Sequence, residues 1–464
     1  MALEHEAIRS LGTDLADRFG SRTRRAGGEL IVSGAPQFEG ARRVYNRLHD
    51  PYPLALVRTL EPTLILEVAR SCEEFRMPLA VRGGGHHIGG GSGGDGGVVL
   101  DFSTFHRVTY CAETQVCRVQ PGARLVDIDR ELSRYGRVIP TGTVSDTGVA
   151  GLTLGGGIGW LAGPLGLTCD YLVGADVLLA DGRVVRAEDA DPFGLLWALR
   201  GGGGAGVALE LRFRTVPLPA TTTGSVLVGR DIEETLVRLF DYLGSRCPRE
   251  LTVAPVLSRD RAGRPLLKVE YCAAGDGGRG IADLLDLLSQ GVCAPFHGSF
   301  VQWQAHIDAE FLPPQRGYWK SCYLHDVSAT DVFAMTETIS RTPMAHCSIL
   351  IEHLHGAFAD VNEESSAFPL RKARFGVLFA ARWPDVEGDR KNIGWVRDSY
   401  SRLDPGNSRP VYANYASPQD PRVAASFSAE AQHRLLDLRV RYDFARRARR
   451  PGALGPDLHP GAAQ

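Results

Sequence analysis

The sequence predicts an α+β fold made of two unlike parts, on three observations. Residues 54–81 read as strand, helix and strand, one βαβ unit that delivers the chain into a glycine loop. The chain holds 54 glycines among 464 residues, and its long glycine runs fall in the first half. From about residue 213 the runs stop, and β-forming stretches alternate with short amphipathic segments. That second pattern predicts an antiparallel sheet flanked by helices. The length suits two or more domains with a large core.

The elements follow in order. Residues 1–30 read as a polar, partly helical lead-in. Leu54–Val57 is a strand. Thr63 to Phe75 carries Leu64, Leu66, Val68, Ala69 and Cys72 at helical spacing, with Thr63 as the expected cap after Pro62. Leu79–Val81, Val98–Leu100, Arg107–Tyr110 and Gln115–Val119 are strands, and Leu125 to Tyr135 is a helix. Asp176–Ala180 and Val184–Arg186 pair across Asp181-Gly182 as a hairpin. In the second part, 224–228, 251–256, 265–271, 348–353 and 375–381 are strands, and 232–243 and 280–288 are helices. The basic run Arg446–Arg450 reads as a solvated face.

Composition narrows the function. A formal charge of −2 gives no electrostatic case for nucleic acid or membrane binding, while 44% hydrophobic residues support a folded core. Nine cysteines, odd in number and without metal-ligand spacing, read as reduced thiols, with no metal site and a cytoplasmic location expected. Glu4, Glu6, Arg9 and Asp14 interrupt every apolar run at the start, so neither a signal peptide nor a spanning segment is expected.

The chemistry centres on Arg82-Gly83-Gly84-Gly85-His86-His87-Ile88-Gly89 and the glycines up to Gly97. Glycine at this density lets the backbone approach a ligand closely, and successive N–H groups make an anion-binding concavity. The loop is fit to hold a pyrophosphate, with Arg82 as a charged clamp at its edge. Gly89-x-Gly91-x-x-Gly94 and Gly201-x-Gly203-x-x-Gly206 match a dinucleotide fingerprint, but each is followed by strand-like sequence where the fingerprint needs a helix. A nicotinamide Rossmann domain is therefore not expected.

Four stretches in order carry a family resemblance: Arg82–His86; Pro140–Leu161 with Gly166–Asp170; Leu196–Gly204; and Tyr412-Ala413-Asn414-Tyr415. Together they resemble FAD-linked oxidases of the vanillyl-alcohol oxidase superfamily, in the berberine-bridge-enzyme-like branch. The resemblance implies a two-part FAD-binding domain, 1–212 with a returning segment 414–464, around a substrate domain, 213–413. It implies FAD held by Arg82, Gly83, Gly84, Gly85, His86, His87 and Gly89 in the first loop. In the second stretch it implies Thr143, Val144, Thr147, Gly148, Gly151, Gly155, Gly156, Gly157 and Gly159, and further on Val207, Asn414 and Tyr415. His86 is the expected covalent link, with His87 structural. Many members add a cysteine link, and Val144 stands at that position, so one bond is implied. The segment after Gly204 looks one residue short at Ala205-Gly206, and the tail 444–450 departs from the family's.

The implied activity is oxidation of a C–H bond of a small alcohol, sugar or secondary metabolite by hydride transfer to flavin, with O2 reoxidising it to H2O2. The alternative is a flavoprotein that sequesters an aromatic toxic metabolite. The expected partners are a small-molecule substrate and O2, with a homodimer possible. Strand alternation would put Tyr412 and Asn414 on one face and Tyr415 on the other, making Tyr412 the candidate base. Glu352, His355, Tyr318, Lys320 and Arg371 are further candidates from the second part.

Overall fold

Short β-branched runs in the first half are too brief to stand alone, and pairing between distant runs makes them strands. The computed structural model describes residues 20, 23–25, 27–189, 191–275, 277–342, 346–417 and 420–442. The run Arg446–Arg450 and most of the 1–30 lead-in lie outside these residues. Strands β1 (Glu29–Val32), β2 (Ala55–Arg58), β3 (Leu79–Arg82) and β4 (Val98–Asp101) form a sheet in the order β1-β2-β4-β3. Helix α1 (Pro62–Glu74) packs Leu64, Ile65, Val68 and Cys72 in the same core cluster as Leu79, Val98 and Leu100. Its N-cap is Glu61, whose carboxylate accepts from the Thr63 N–H, with Pro62 at the first helical position. The expected Thr63 cap thus sits inside the helix, because proline tolerates only its first turn.

β4 lies between β2 and β3 and runs parallel to both. A parallel neighbour demands a crossover from the end of one strand to the start of the next. Residues 83–97 make that crossover without a helix, which is why the loop is long and glycine-rich.

The next strands are β5 (Val108–Cys111), β6 (Val116–Val119), β7 (Arg137–Val138), β8 (Leu172–Leu178), β9 (Val184–Ala187), β10 (Val207–Arg214) and β11 (Val216–Pro217), with α2 (Leu125–Ser133) and α3 (Val149–Gly155) among them. A second sheet has the order β5-β6-β10-β8-β9, and β7 pairs with β11. The sequences after both glycine fingerprints are indeed strands, β4 and β10.

The third sheet uses β12 (Thr221–Val228), β13 (Leu251–Arg259), β14 (Pro265–Ala274), β15 (Val292–Pro295), β16 (Arg316–Leu324), β17 (Cys347–His353) and β18 (Phe375–Trp383), all antiparallel, in the order β15-β12-β14-β13-β17-β18-β16. Four helices pack in its largest core cluster: α4 (Ile232–Ser245), α5 (Gly278–Leu287), α6 (Ala329–Ser340) and α7 (Asp389–Leu403), through Leu239, Leu284, Met335 and Val396 among others. The sequence pattern missed β15, β16, α6 and α7. In β16, Arg316, Lys320 and Ser321 dilute the β signal, and pairing with β18 over nine residues decides the outcome. Helix α8 (Ala429–Tyr442) brings Leu435 and Leu438, with Val411, Val423 and Phe427 before it, into the core cluster of the second sheet.

One buried ion pair pins these parts together. Arg371, on the segment before β18, reaches both carboxylate oxygens of Asp170 and the Phe358 carbonyl. Asp170 in turn accepts from the Leu167 N–H. Both side chains are at most 5% exposed. Arg371 is therefore a structural residue rather than a catalytic one. Arg371→Ala leaves Asp170 charged and unpaired, and should cost about 3–5 kcal/mol of stability in urea titration.

Candidate functional site

The three sheets enclose a cavity of about 280 Å³. Its floor is the crossover loop at Gly83, Gly84, Gly85, His86 and His87, and the segment Gly142, Thr143, Val144, Thr147 and Gly148. Gly151 and Gly155 of α3, Gly201–Gly203, Gly206 and Val207 make one side. Tyr412, Ala413, Asn414 and Tyr415 close the end, and Ile307, Phe311, Trp319, Leu350 and Leu378 form the roof.

The floor depends on two glycines in contact. A Cβ on Gly84 would lie 2.5 Å from the Gly148 Cα, and a Cβ on Gly148 2.5 Å from the Gly84 nitrogen. No side chain fits between backbones that close, so the two loops form one continuous surface of peptide groups. Gly85 takes φ +67°, a left-handed turn that presents His86 to the cavity.

His86 stacks on Tyr45 with centroids 3.8 Å apart. Tyr45 is fixed by its N–H to the Gly85 carbonyl and its hydroxyl to the Phe311 carbonyl. The His86 Nε2 is buried and has no hydrogen-bond partner. Burial, with Arg124 nearby, pushes its pKa down to about 3, so the ring is neutral. Ser92 Oγ, also on the cavity wall, is likewise buried and unpartnered. A peptide floor without side chains and two unpartnered polar atoms fit a large flat cofactor bearing a diphosphate, as FAD does. His87 is spent on structure: its Nδ1 accepts from the Gly89 N–H and its Nε2 meets the Ala413 carbonyl. Burial pushes its pKa down to about 4.

The C-terminal motif is not a strand. Residues 413–415 form a single 3₁₀ turn closed by the Tyr415 N–H to the Tyr412 carbonyl. The turn brings Tyr412, Asn414 and Tyr415 all to the cavity, where alternation had put Tyr415 on the far side. Asn414 Nδ2 donates to the Leu152 carbonyl and the Tyr412 hydroxyl, so its Oδ1 is what remains for a ligand. Tyr412 is 2% exposed, packed among Ile158, Phe358, Phe368 and Leu370. Its hydroxyl accepts from the Gly157 and Asn414 N–H groups, and burial drives its pKa upward. It braces the Gly157 turn. Tyr415 is the half-buried phenol beside it, and its hydroxyl donates to Glu352 Oε1 at 2.8 Å. Tyr323 donates to the other carboxylate oxygen at 2.8 Å. A Cβ on Gly376 would press on both Glu352 and Tyr323, so glycine makes room for the pair.

Several expected residues lie elsewhere. The Arg82 guanidinium turns away from the cavity onto the Ala41, Arg42 and Ser92 carbonyls, because a buried loop needs its peptide oxygens satisfied. It staples the loop rather than clamping a phosphate. Gly89, Gly156, Gly157 and Gly159 lie outside the cavity wall. Gly156 and Gly157 hold left-handed turns at φ +132° and +92°, and Gly159 passes against the Thr141 carbonyl. Tyr318 and Lys320 point to the helix side of β16, toward Arg397 and the Tyr400 ring. His355 stacks on His353 and meets the Pro248 carbonyl. Sequence reasoning missed Ser92, Ile307, Phe311, Trp319, Leu350 and Leu378. It also missed Arg439, which donates to the Gly202 and Gly204 carbonyls and fixes the third glycine run despite its short segment. Only the alternation of β16 to β18 could have hinted at the roof.

Gly148→Ala should cost flavin content more than fold. Purified protein is expected to keep its far-UV circular dichroism while its absorbance near 450 nm falls by at least about half. Full flavin content in this variant would show the contact to be dispensable.

Residues 53–188 match the FAD binding domain family. A carbohydrate oxidase of Microdochium nivale is 27% identical, over 93% of each chain. Among solved structures, BBE-like 1 of Physcomitrella patens superposes with TM-score 0.81 at 19% identity, covering 94% of this chain and 99% of that one. Glucooligosaccharide oxidase of Acremonium strictum, described with a 6-S-cysteinyl, 8α-N1-histidyl FAD, gives TM-score 0.81 at 21% identity over 92% and 96%. The chain therefore carries an FAD binding domain at residues 53–188, within a fold shared with berberine-bridge-enzyme-like proteins and carbohydrate oxidases.

Proposed function

We propose that the protein is an oxidase that carries FAD on one covalent bond to His86 and oxidises an alcohol carbon to a carbonyl. FAD, when bound, accepts the hydride from that carbon and returns the electron pair to O2, giving H2O2. The observation that carries the reading is the Tyr415–Glu352 pair at the cavity's closed end. As the hydride leaves, the substrate hydroxyl proton passes to the Tyr415 oxygen, and Tyr415 gives its own proton to Glu352 Oε1. The product is the carbonyl compound, and one proton rests on the carboxylate. Tyr415 alone is a poor base, since burial and the adjacent carboxylate hold its pKa well above the ordinary value. The carboxylate makes the transfer possible. Val144 offers no thiol, which supports a single link where the Acremonium enzyme has two.

A general base is typically worth about 100- to 10,000-fold. Tyr415→Phe and Glu352→Gln should each lower the rate of anaerobic flavin reduction by at least about 100-fold with flavin retained. Tyr412→Phe removes a brace and should change that rate by less than about threefold. A large loss only in Tyr412→Phe would return the base role to Tyr412.

Burial raises the Glu352 pKa, opposed by hydrogen bonds from Tyr323 and Tyr415. The relay needs the ionised carboxylate. Flavin reduction should therefore rise with pH through an apparent pKa above that of an ordinary glutamate, and Glu352→Gln should abolish this limb. A rate that falls with pH over that range would contradict the relay.

A further inference from the structure

The roof of the cavity is set by the register of three neighbouring strands. Leu350 of β17 pairs with Leu378 of β18, which pairs with Ser321 of β16. One row along, Trp319 pairs with Ala380, and in the other direction Glu352 and Tyr323 flank Gly376. Side chains paired across a sheet share a face, so the wall runs from the acid–phenol pair into an apolar belt of Leu350, Leu378 and Trp319. Ile307 and Phe311 extend that belt. Among the described roof residues that line the cavity none carries a charge, and the one polar side-chain atom is the Trp319 indole nitrogen; the Ser321 hydroxyl, on the same face beside Leu378, does not reach the lining. The indole N–H is buried and has no partner. The indole meets Tyr415 edge to face, with centroids 5.7 Å apart at 83°.

Resting on the oxidase reading above, we infer that the substrate is an uncharged, ring-bearing apolar alcohol with one hydrogen-bond acceptor for Trp319, and not a sugar. A sugar ring presents hydroxyls around its whole edge, and each one buried against leucine and isoleucine loses its water without a replacement. An apolar ring loses nothing there, and its flat face suits the slot between the Trp319 edge and the leucines. Tyr415 then receives the single hydroxyl that reacts. The relatives named as carbohydrate oxidases share this fold; this roof departs from what a sugar requires.

The experiment compares benzyl alcohol, cyclohexanol and their para-methoxy derivatives with glucose, maltose and cellobiose on the flavin-loaded protein. Anaerobic flavin bleaching and the shift of the flavin band on binding are both read. The ring alcohols are expected to bleach the flavin at least about tenfold faster than any sugar. Trp319→Phe should raise KM for the methoxy compounds about fivefold more than it raises KM for the bare rings. Faster bleaching by sugars overturns the inference while the oxidase reading stands. Ring compounds that shift the flavin band without bleaching it uphold the apolar site and sink the oxidase reading. A protein that neither binds nor oxidises any ring compound overturns the inference outright.

Discussion

Everything at the site rests on the backbone contact between Gly84 and Gly148. The two residues belong to segments that the chain has no local reason to bring together. One is the crossover between parallel strands β3 and β4, the other the lead-in to α3. Their contact fuses the two into a surface of peptide groups with no side chain in the way. A methyl on either residue would separate the segments and remove the surface. The same geometry explains the economy of the rest. Arg82, Arg439 and His87 turn their polar atoms onto backbone carbonyls and an amide, which satisfies the loops internally and leaves His86 and Ser92 to face the cavity.

The two halves of the molecule meet chemically at Glu352. The carboxylate comes from the large sheet, and the phenol that shares its proton comes from the turn after residue 412. Neither half holds the pair alone. Gly376 keeps the space that Tyr323 and Glu352 fill, so a glycine in the second half does for the acid pair what Gly84 and Gly148 do for the floor. The ion pair of Arg371 with Asp170 fixes the same junction from behind.

The glycine runs and the strands of the first half were legible because their signals are local. Periodicity of two and of 3.6 marks single elements, and left-handed turns need glycine whatever packs around them. What touches the runs was not legible, and Arg82 shows why. A buried arginine beside a glycine loop suits a phosphate or three peptide oxygens equally well by composition, and only the fold decides. That Tyr412 is packed among apolar rings while Tyr415 bonds Glu352 was hidden for a similar reason. Alternation assumes a regular strand, and the 3₁₀ turn over 413–415 removes that premise. The roof stayed silent because Ile307, Phe311, Trp319, Leu350 and Leu378 are spread over 72 positions, and only the last three are joined by β-sheet register.

The central claim is that the glycine floor holds FAD with His86 as its single anchor. Peptide mapping of the acid-denatured, digested protein as isolated tests it most directly. The account predicts the added mass of FAD on the peptide that contains His86, and an unmodified peptide around Val144. Free FAD in the acid supernatant with an unmodified His86 peptide would contradict it.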